Sequence, residues 1–131
     1  MPLLWVAGNP LTTLPPEIGA LTNLRKLHAA GCKLAALSGE IGRLASLREL
    51  YLEGNVLEEL PADVAFLEDL ERLILHDNRL TRLPEQGMSR LGKLKHLSLW
   101  NNPFSEAERD RVRRLFPQAS VVFDPPHYDD D

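Results

Sequence analysis

Residues 47–60 read LRELYLEGNVLEEL, and residues 70–83 repeat the same apolar frame as LERLILHDNRLTRL. In the first copy the fixed positions are Leu47, Leu50, Leu52, Asn55 and Leu57. In the second they are Leu70, Leu73, Leu75, Asn78 and Leu80. The same slots hold Leu24, Leu27, Ala29, Cys32 and Leu34 one copy earlier, and Leu94, Leu97, Leu99, Asn102 and Phe104 one copy later. Met1, Leu4, Val6, Asn9 and Leu11 give the first copy. Asn9, Cys32, Asn55, Asn78 and Asn102 are therefore spaced by 23, 23, 23 and 24 residues. A fixed period of this length marks a solenoid built from stacked copies of one supersecondary unit.

Each part of the frame has a physical role. Side chains alternate along a strand, so the leucines point into the solenoid and the residues between them form an exposed sheet. The chain must then turn while partly buried, which would strand backbone N–H and C=O groups. A side-chain amide at the turn offers both a donor and an acceptor, and Asn stands there in four of five copies. A second apolar set builds the opposite, convex wall: Leu14-Pro15, Ile18 and Leu21; Leu37, Ile41 and Leu44; Leu60-Pro61, Val64 and Leu67; Leu83-Pro84, Met88 and Leu91.

This pattern, L-P-x-x-I-x-x-L-x-x-L-x-x-L-x-L-x-x-N-x-L, resembles the leucine-rich-repeat family over residues 1 to about 104, and most of all its intracellular Ras-group-type and bacterial 23-residue repeats. The resemblance implies an α/β solenoid: a short curved array with a parallel concave β-sheet, an irregular or short-helical convex side and a C-terminal capping helix. The sequence departs from the pattern at Cys32, at Ser38 in place of Pro, and by one extra residue within 85–90, which is expected to bulge the convex side.

Three regions are expected: five repeats over 1–104, a helix-strand cap over 105–124, and an acidic tail over 125–131. In the cap, Ser105 and Glu108 have capping-box spacing, Val112, Leu115 and Phe116 share a helical face, and Pro117 stops the helix. Val121 to Phe123 is expected to add a strand. Before the first repeat there is no such cap. Met1, Leu4, Val6 and Leu11 would stand at an open edge, which implies either self-association there, as in a homodimer, or a fragment of a longer array.

Composition narrows the function classes. At 131 residues and 44% hydrophobic, the chain suits one continuous core without a separate catalytic domain. A net charge of −4 argues against a nucleic-acid partner, which calls for a basic footprint. No apolar stretch approaches the roughly 18 residues of a membrane span. The start reads as a repeat strand and not as a signal peptide, and a single Cys cannot form the disulfide caps usual in extracellular members of the family, so a reducing cytoplasm is expected.

Catalytic and cofactor readings find little support. Cys32 fills the turn slot with no base beside it, and His28, His76, His96 and His127 show no metal-ligand spacing. No glycine-rich phosphate loop is present, and no cofactor is expected. Arg109, Arg111, Arg113 and Arg114 interleave with Glu106, Glu108 and Asp110 as an ion-paired helix face.

The expected function is therefore non-enzymatic binding of a protein or peptide. The frame points Trp5, His28, Tyr51, Ile74 and Ser98 outward in one column, and Leu3, Lys26, Glu49, Arg72 and His96 in the column before it. Pro2, Arg25, Arg48, Glu71 and Lys95 flank one side, and Ala7, Ala30, Glu53, His76 and Trp100 the other. Five strands about 4.8 Å apart make a face about 19 Å across. The expected partner-binding residues are Trp5, Arg25, His28, Arg48, Tyr51, Arg72, Ile74, His76, Lys95, His96 and Trp100, with Tyr51, Trp100 and the arginines as anchors. The competing reading is that these groups only cover the sheet and pair across strands.

Overall fold

The structure, a computed structural model, describes residues 3–126. The frame slots of Met1 and Pro2, His127 and most of the expected tail lie outside the described residues. Six short strands form one parallel sheet in sequence order: β1 Leu3–Trp5, β2 Lys26–His28, β3 Glu49–Tyr51, β4 Arg72–Ile74, β5 His96–Ser98 and β6 Ser120–Val122. The repeat frame sets the register. Leu4, Leu27, Leu50, Leu73, Leu97 and Val121 are aligned across the sheet. From Leu27 to Leu97 these leucines are fully buried, together with Leu47, Leu52, Leu70, Leu75, Leu94 and Leu99.

The convex wall is made of 3-10 turns at Pro16–Ala20, Gly39–Arg43, Ala62–Phe66 and Met88–Arg90. Each closes on a leucine, Leu21, Leu44, Leu67 or Leu91, whose N–H donates to the carbonyl three residues back. The preceding prolines pre-set the entry: Pro15 and Pro61 have φ of −66° and −68° and ψ of 147°. Ser38 adopts nearly the same conformation, φ −80° and ψ 160°, which explains why the copy without Pro keeps its turn. The extra residue of the fourth repeat is taken up at Gly87, with φ +85°, and the turn there shortens from five residues to three.

The asparagine ladder crosslinks the repeats. Asn55 donates through Nδ2 to the carbonyls of Leu52 at 2.8 Å and Ala29 at 3.0 Å, while its Oδ1 accepts from the N–H groups of Cys32 and Leu34. Asn78 and Asn102 repeat this, each donating to its own strand end and to the strand end one repeat back. Cys32 performs half of the task. Its Sγ donates to the Val6 carbonyl at 3.1 Å, but a thiol is a poor acceptor, and Leu11 N–H turns instead to the Cys32 backbone carbonyl at 3.0 Å.

The residue before each ladder position is left-handed in every repeat: Gly8, Gly31, Gly54, Asp77 and Asn101, with φ between 58° and 81°. Three are glycine, and Asp and Asn are the side chains that best tolerate this region. The Asn101 amide also donates to the Asp77 carboxylate, so the two non-glycine turns support each other.

The C-terminal end differs from the sequence reading in two details. Helix α1 spans Glu106–Leu115, and Ser105 Oγ accepts from Glu108 N–H at 3.1 Å, but the Glu108 carboxylate does not complete the capping box. It accepts instead from Leu83 N–H at 3.0 Å and from Arg111, whose guanidinium also donates to the Leu83 carbonyl. The helix is thus tied to the end of the fourth repeat, and Arg111 holds the Glu108 carboxyl below its ordinary range. The last strand is Ser120–Val122, one residue earlier than Val121 to Phe123, because pairing with β5 aligns Val121 with Leu97. Phe123 then turns inward against Phe104, its rings edge to face at 5.6 Å, with Arg109 and Arg113 over it. Val112 and Phe116 complete this lid over the core.

Candidate partner-binding face

Strand register brings the outward residues into ranks across the sheet. Trp5, His28, Tyr51, Ile74, Ser98 and Val122 are aligned, as are Leu3, Lys26, Glu49, Arg72, His96 and Ser120. Within the first rank the rings stack: Trp5 on His28 at 4.3 Å between centroids, and His28 on Tyr51 at 4.1 Å. In the flanking rank, His76 stacks on Trp100 at 4.0 Å and 7°. The spacing of parallel strands is close to ring contact distance, so a repeat of aromatic residues at one frame position generates a stack without special design.

Side chains of this face are also fixed by polar contacts. The Tyr51 hydroxyl donates to the Glu49 carboxylate, which lies 3.4 Å from Lys26 Nζ. That hydroxyl holds the Glu49 carboxyl below its usual range, with Lys26 adding to the effect, while burial and Glu49 push the Tyr51 phenol up. His76 Nδ1 sits 2.7 Å from Ser98 Oγ. One Glu53 oxygen is shielded from solvent with no hydrogen-bond partner among the described residues.

Two expected features differ. Ile74 faces outward from the sheet but is only 5% exposed, and Ser98 beside it 3%. Both are short relative to the rings around them, so neighbouring ranks close over them. Ile74 therefore forms the floor of a depression rather than an open apolar knob. Trp5, by contrast, is 64% exposed, Arg25, Arg48, Arg72 and Lys95 are exposed, and His28, Tyr51, His76, His96 and Trp100 are half-buried.

The face divides into two adjoining clefts. One, of about 400 Å³, is lined by Arg25, Lys26, Arg48, Glu49, Glu71, Arg72, Lys95 and His96. The other, of about 470 Å³, has Tyr51, Ile74, His76 and Trp100 in its wall and continues to Val122 and Pro126. Arg72 and His96 border both. The last strand's share was missed in the sequence, although the alternation that points Val121 inward also points Val122 outward. Among the described residues, no group of three or more His, Cys, Asp or Glu side chains is placed to hold a metal ion, and no helix is long and apolar enough to cross a membrane.

Burial, with Arg72 and His76 nearby, pulls the His96 imidazole below its ordinary value of 6.5. The folded state thus binds the proton less readily than the unfolded chain. Stability is unaffected by this group above about pH 6.5 and falls as pH drops from there toward the lowered folded value. Arg72→Ala is expected to move the His96 titration, followed by NMR of the imidazole protons, to higher pH. An unchanged midpoint would show that Arg72 does not act on this ring.

Parallel strands stacked in sequence order, 3-10 turns behind them and an asparagine ladder between them define a leucine-rich-repeat solenoid. The chain belongs to the leucine-rich-repeat family: the family model described as a leucine-rich repeat region matches residues 9–116. Among solved structures, it is similar to a leucine-rich-repeat protein of Leptospira interrogans, with 39% identity and a TM-score of 0.89 over 92% of this chain and 30% of that one. It also shares its fold with an internalin of Listeria monocytogenes, with 18% identity and a TM-score of 0.69 over 88% of this chain and 33% of the other. The chain thus spans about a third of the length of each. No curated protein matches the sequence.

Proposed function

We propose that this chain is a non-enzymatic interaction module that docks a protein or peptide partner on its concave face. The observation that carries the reading is the pair of ring stacks, Trp5–His28–Tyr51 and His76–Trp100, standing on the outward side of the sheet beside exposed arginines. Rings already held by their neighbours lose little freedom on binding, and aromatic and Arg side chains dominate interface energies. Family membership supports the same reading, since solenoids present extended concave surfaces for binding. The buried, unpaired Cys32 thiol is in keeping with a reducing cytoplasm.

The test uses the purified chain as bait, with Phe66→Ala as a control, because Phe66 is 54% exposed on the convex side. Tyr51→Ala with Trp100→Ala is expected to weaken partner binding by about 30-fold or more, on the scale of one interface hot spot. Phe66→Ala should bind as the parent does. Equal binding by the double variant, or loss of its cooperative unfolding, would return these rings to a purely structural role.

A second reading is favoured by the amino-terminal edge. Among the described residues β1 pairs on one side alone, Leu3 and Trp5 are exposed, and Leu4, Val6 and Leu11 are only partly buried. This edge suits self-association or continuation of a longer solenoid. Solution mass should then rise with concentration and fall back for Leu4→Glu, whereas a monomer at every concentration would reject a homodimer.

A further inference from the structure

The two concave clefts differ in charge, and the difference specifies the chemistry of an occupant. The first gathers five cations, Arg25, Lys26, Arg48, Arg72 and Lys95, against Glu49 and Glu71, in a chain whose net charge is −4. Lys26 lies 3.4 Å from Glu49 and Lys95 lies 3.1 Å from Glu71, so both carboxylates are already paired. Arg25, Arg48 and Arg72 are exposed and are in no ion pair among the described residues. Three guanidiniums thus stand as a local positive surplus on an acidic protein. The second cleft sets the rings of Tyr51, His76 and Trp100 around the Ile74 floor, and the Glu53 carboxylate lines it as well. Glu53 repels an acidic group there, while the rings and Ile74 favour an apolar one.

The strands also set a distance between the two environments. Arg72 precedes Ile74 by two positions in β4, and Arg48 precedes Tyr51, aligned with Ile74, by three. At 3.2–3.4 Å per residue these offsets are roughly 7 and 10 Å, the advance of two and three residues of an extended ligand laid along the strands. We propose that the concave face takes an extended acidic segment of a partner protein, with two carboxylates on Arg48 and Arg72 and an aromatic side chain, two and three positions from them, over Ile74 between Tyr51, His76 and Trp100. This rests on the reading of the concave face as the partner site and adds the chemistry of what it takes. A carboxylate meets each guanidinium in a two-pronged hydrogen-bonded pair, which fixes the register of the segment, and the ring supplies the apolar contact.

The test selects phage-displayed random peptides of about 12 residues, long enough to cross the face when extended, in parallel on the full chain and on Arg48→Glu with Arg72→Glu. Both arginines are exposed, and matching unfolding curves check that the variant is folded. Peptides enriched on the parent alone are expected to carry two Asp or Glu residues, two and three positions from Trp, Tyr or Phe. The leading sequence is then made as a fluorescein-labelled synthetic peptide and followed by anisotropy. It should bind Arg48→Ala with Arg72→Ala about 10-fold more weakly than the parent, and 1 M salt should weaken it comparably. Changing its Asp and Glu residues to Asn and Gln should remove that sensitivity to the two arginines.

Absence of any sequence that prefers the parent to the charge-reversed chain, or enrichment of neutral or basic peptides, would overturn the proposal. Tighter binding of a single-stranded RNA oligonucleotide than of the leading peptide would overturn it in favour of a phosphate backbone. Peptides weakened by Tyr51→Ala with Trp100→Ala but indifferent to the arginines would overturn the acidic assignment and leave the concave face as the partner site. Peptides indifferent to both double variants would overturn the partner-site reading together with the proposal.

Discussion

Asn55→Ala is expected to lower unfolding stability by about 3–5 kcal/mol, a large effect for removal of one polar side chain. Asn55 is 5% exposed, and its amide serves two donors and two acceptors of the backbone at 2.8–3.0 Å. Its removal leaves the Ala29 carbonyl and the N–H groups of Cys32 and Leu34 without those partners inside the turn, while the Leu52 carbonyl keeps only the bond from Asn78. Each such group costs about 1–3 kcal/mol, and relaxation or entry of water recovers part of the total. Asn55→Cys should fall between parent and Ala, because a thiol can restore a donor, as Cys32 does toward Val6, but not the acceptor. Urea unfolding checks the series. A loss below about 1 kcal/mol for Asn55→Ala would show that the ladder is not what joins the repeats.

Phe116→Ala should have a comparable effect by a different route. The ring is 1% exposed at the end of α1, where it closes the core together with Val112 and Phe123. Truncating a buried Phe costs about 3–5 kcal/mol through lost burial and the cavity left behind. Because the lid is tied to the array by the Glu108 and Arg111 contacts with Leu83, its loss should also speed amide exchange in β5 and β6 more than in β2 and β3. Uniform loss of protection along the sheet would mean that the array and its lid unfold as one unit. An unchanged midpoint would contradict the assignment of Phe116 as the closing residue.

The repeat frame was sufficient to anticipate the fold because its positions are redundant. Leu50, Leu73 and Leu97 occupy one slot three times, so period and register are determined together. Family membership and the parallel solenoid follow from that slot pattern. Local chemistry without such redundancy was less legible. The Glu108 carboxylate had the spacing of a capping box, yet a backbone N–H 25 residues away in the chain, at Leu83, offered it a better partner alongside Arg111.

The same limit applies to the outward face. Alternation gave the direction of Ile74 and Ser98 but not their cover, since exposure depends on the height of neighbours that come from other repeats. The ring stacks were implicit in the 23-residue spacing of Trp5, His28 and Tyr51, but His76 with Trp100 required the 24-residue step to be absorbed on the convex side. The continuation of the groove to Val122 and Pro126 depended on placing the sixth strand one residue earlier than propensity alone suggested.

The concave face as binding surface is tested most directly by aromatic-ring NMR of the chain during titration with a captured partner. Tyr51 and Trp100 ring resonances are expected to shift or broaden, with Phe66 on the convex turn unchanged. Movement of Phe66, or of Trp5 alone, with Tyr51 and Trp100 unaffected would place the interface elsewhere and contradict the account.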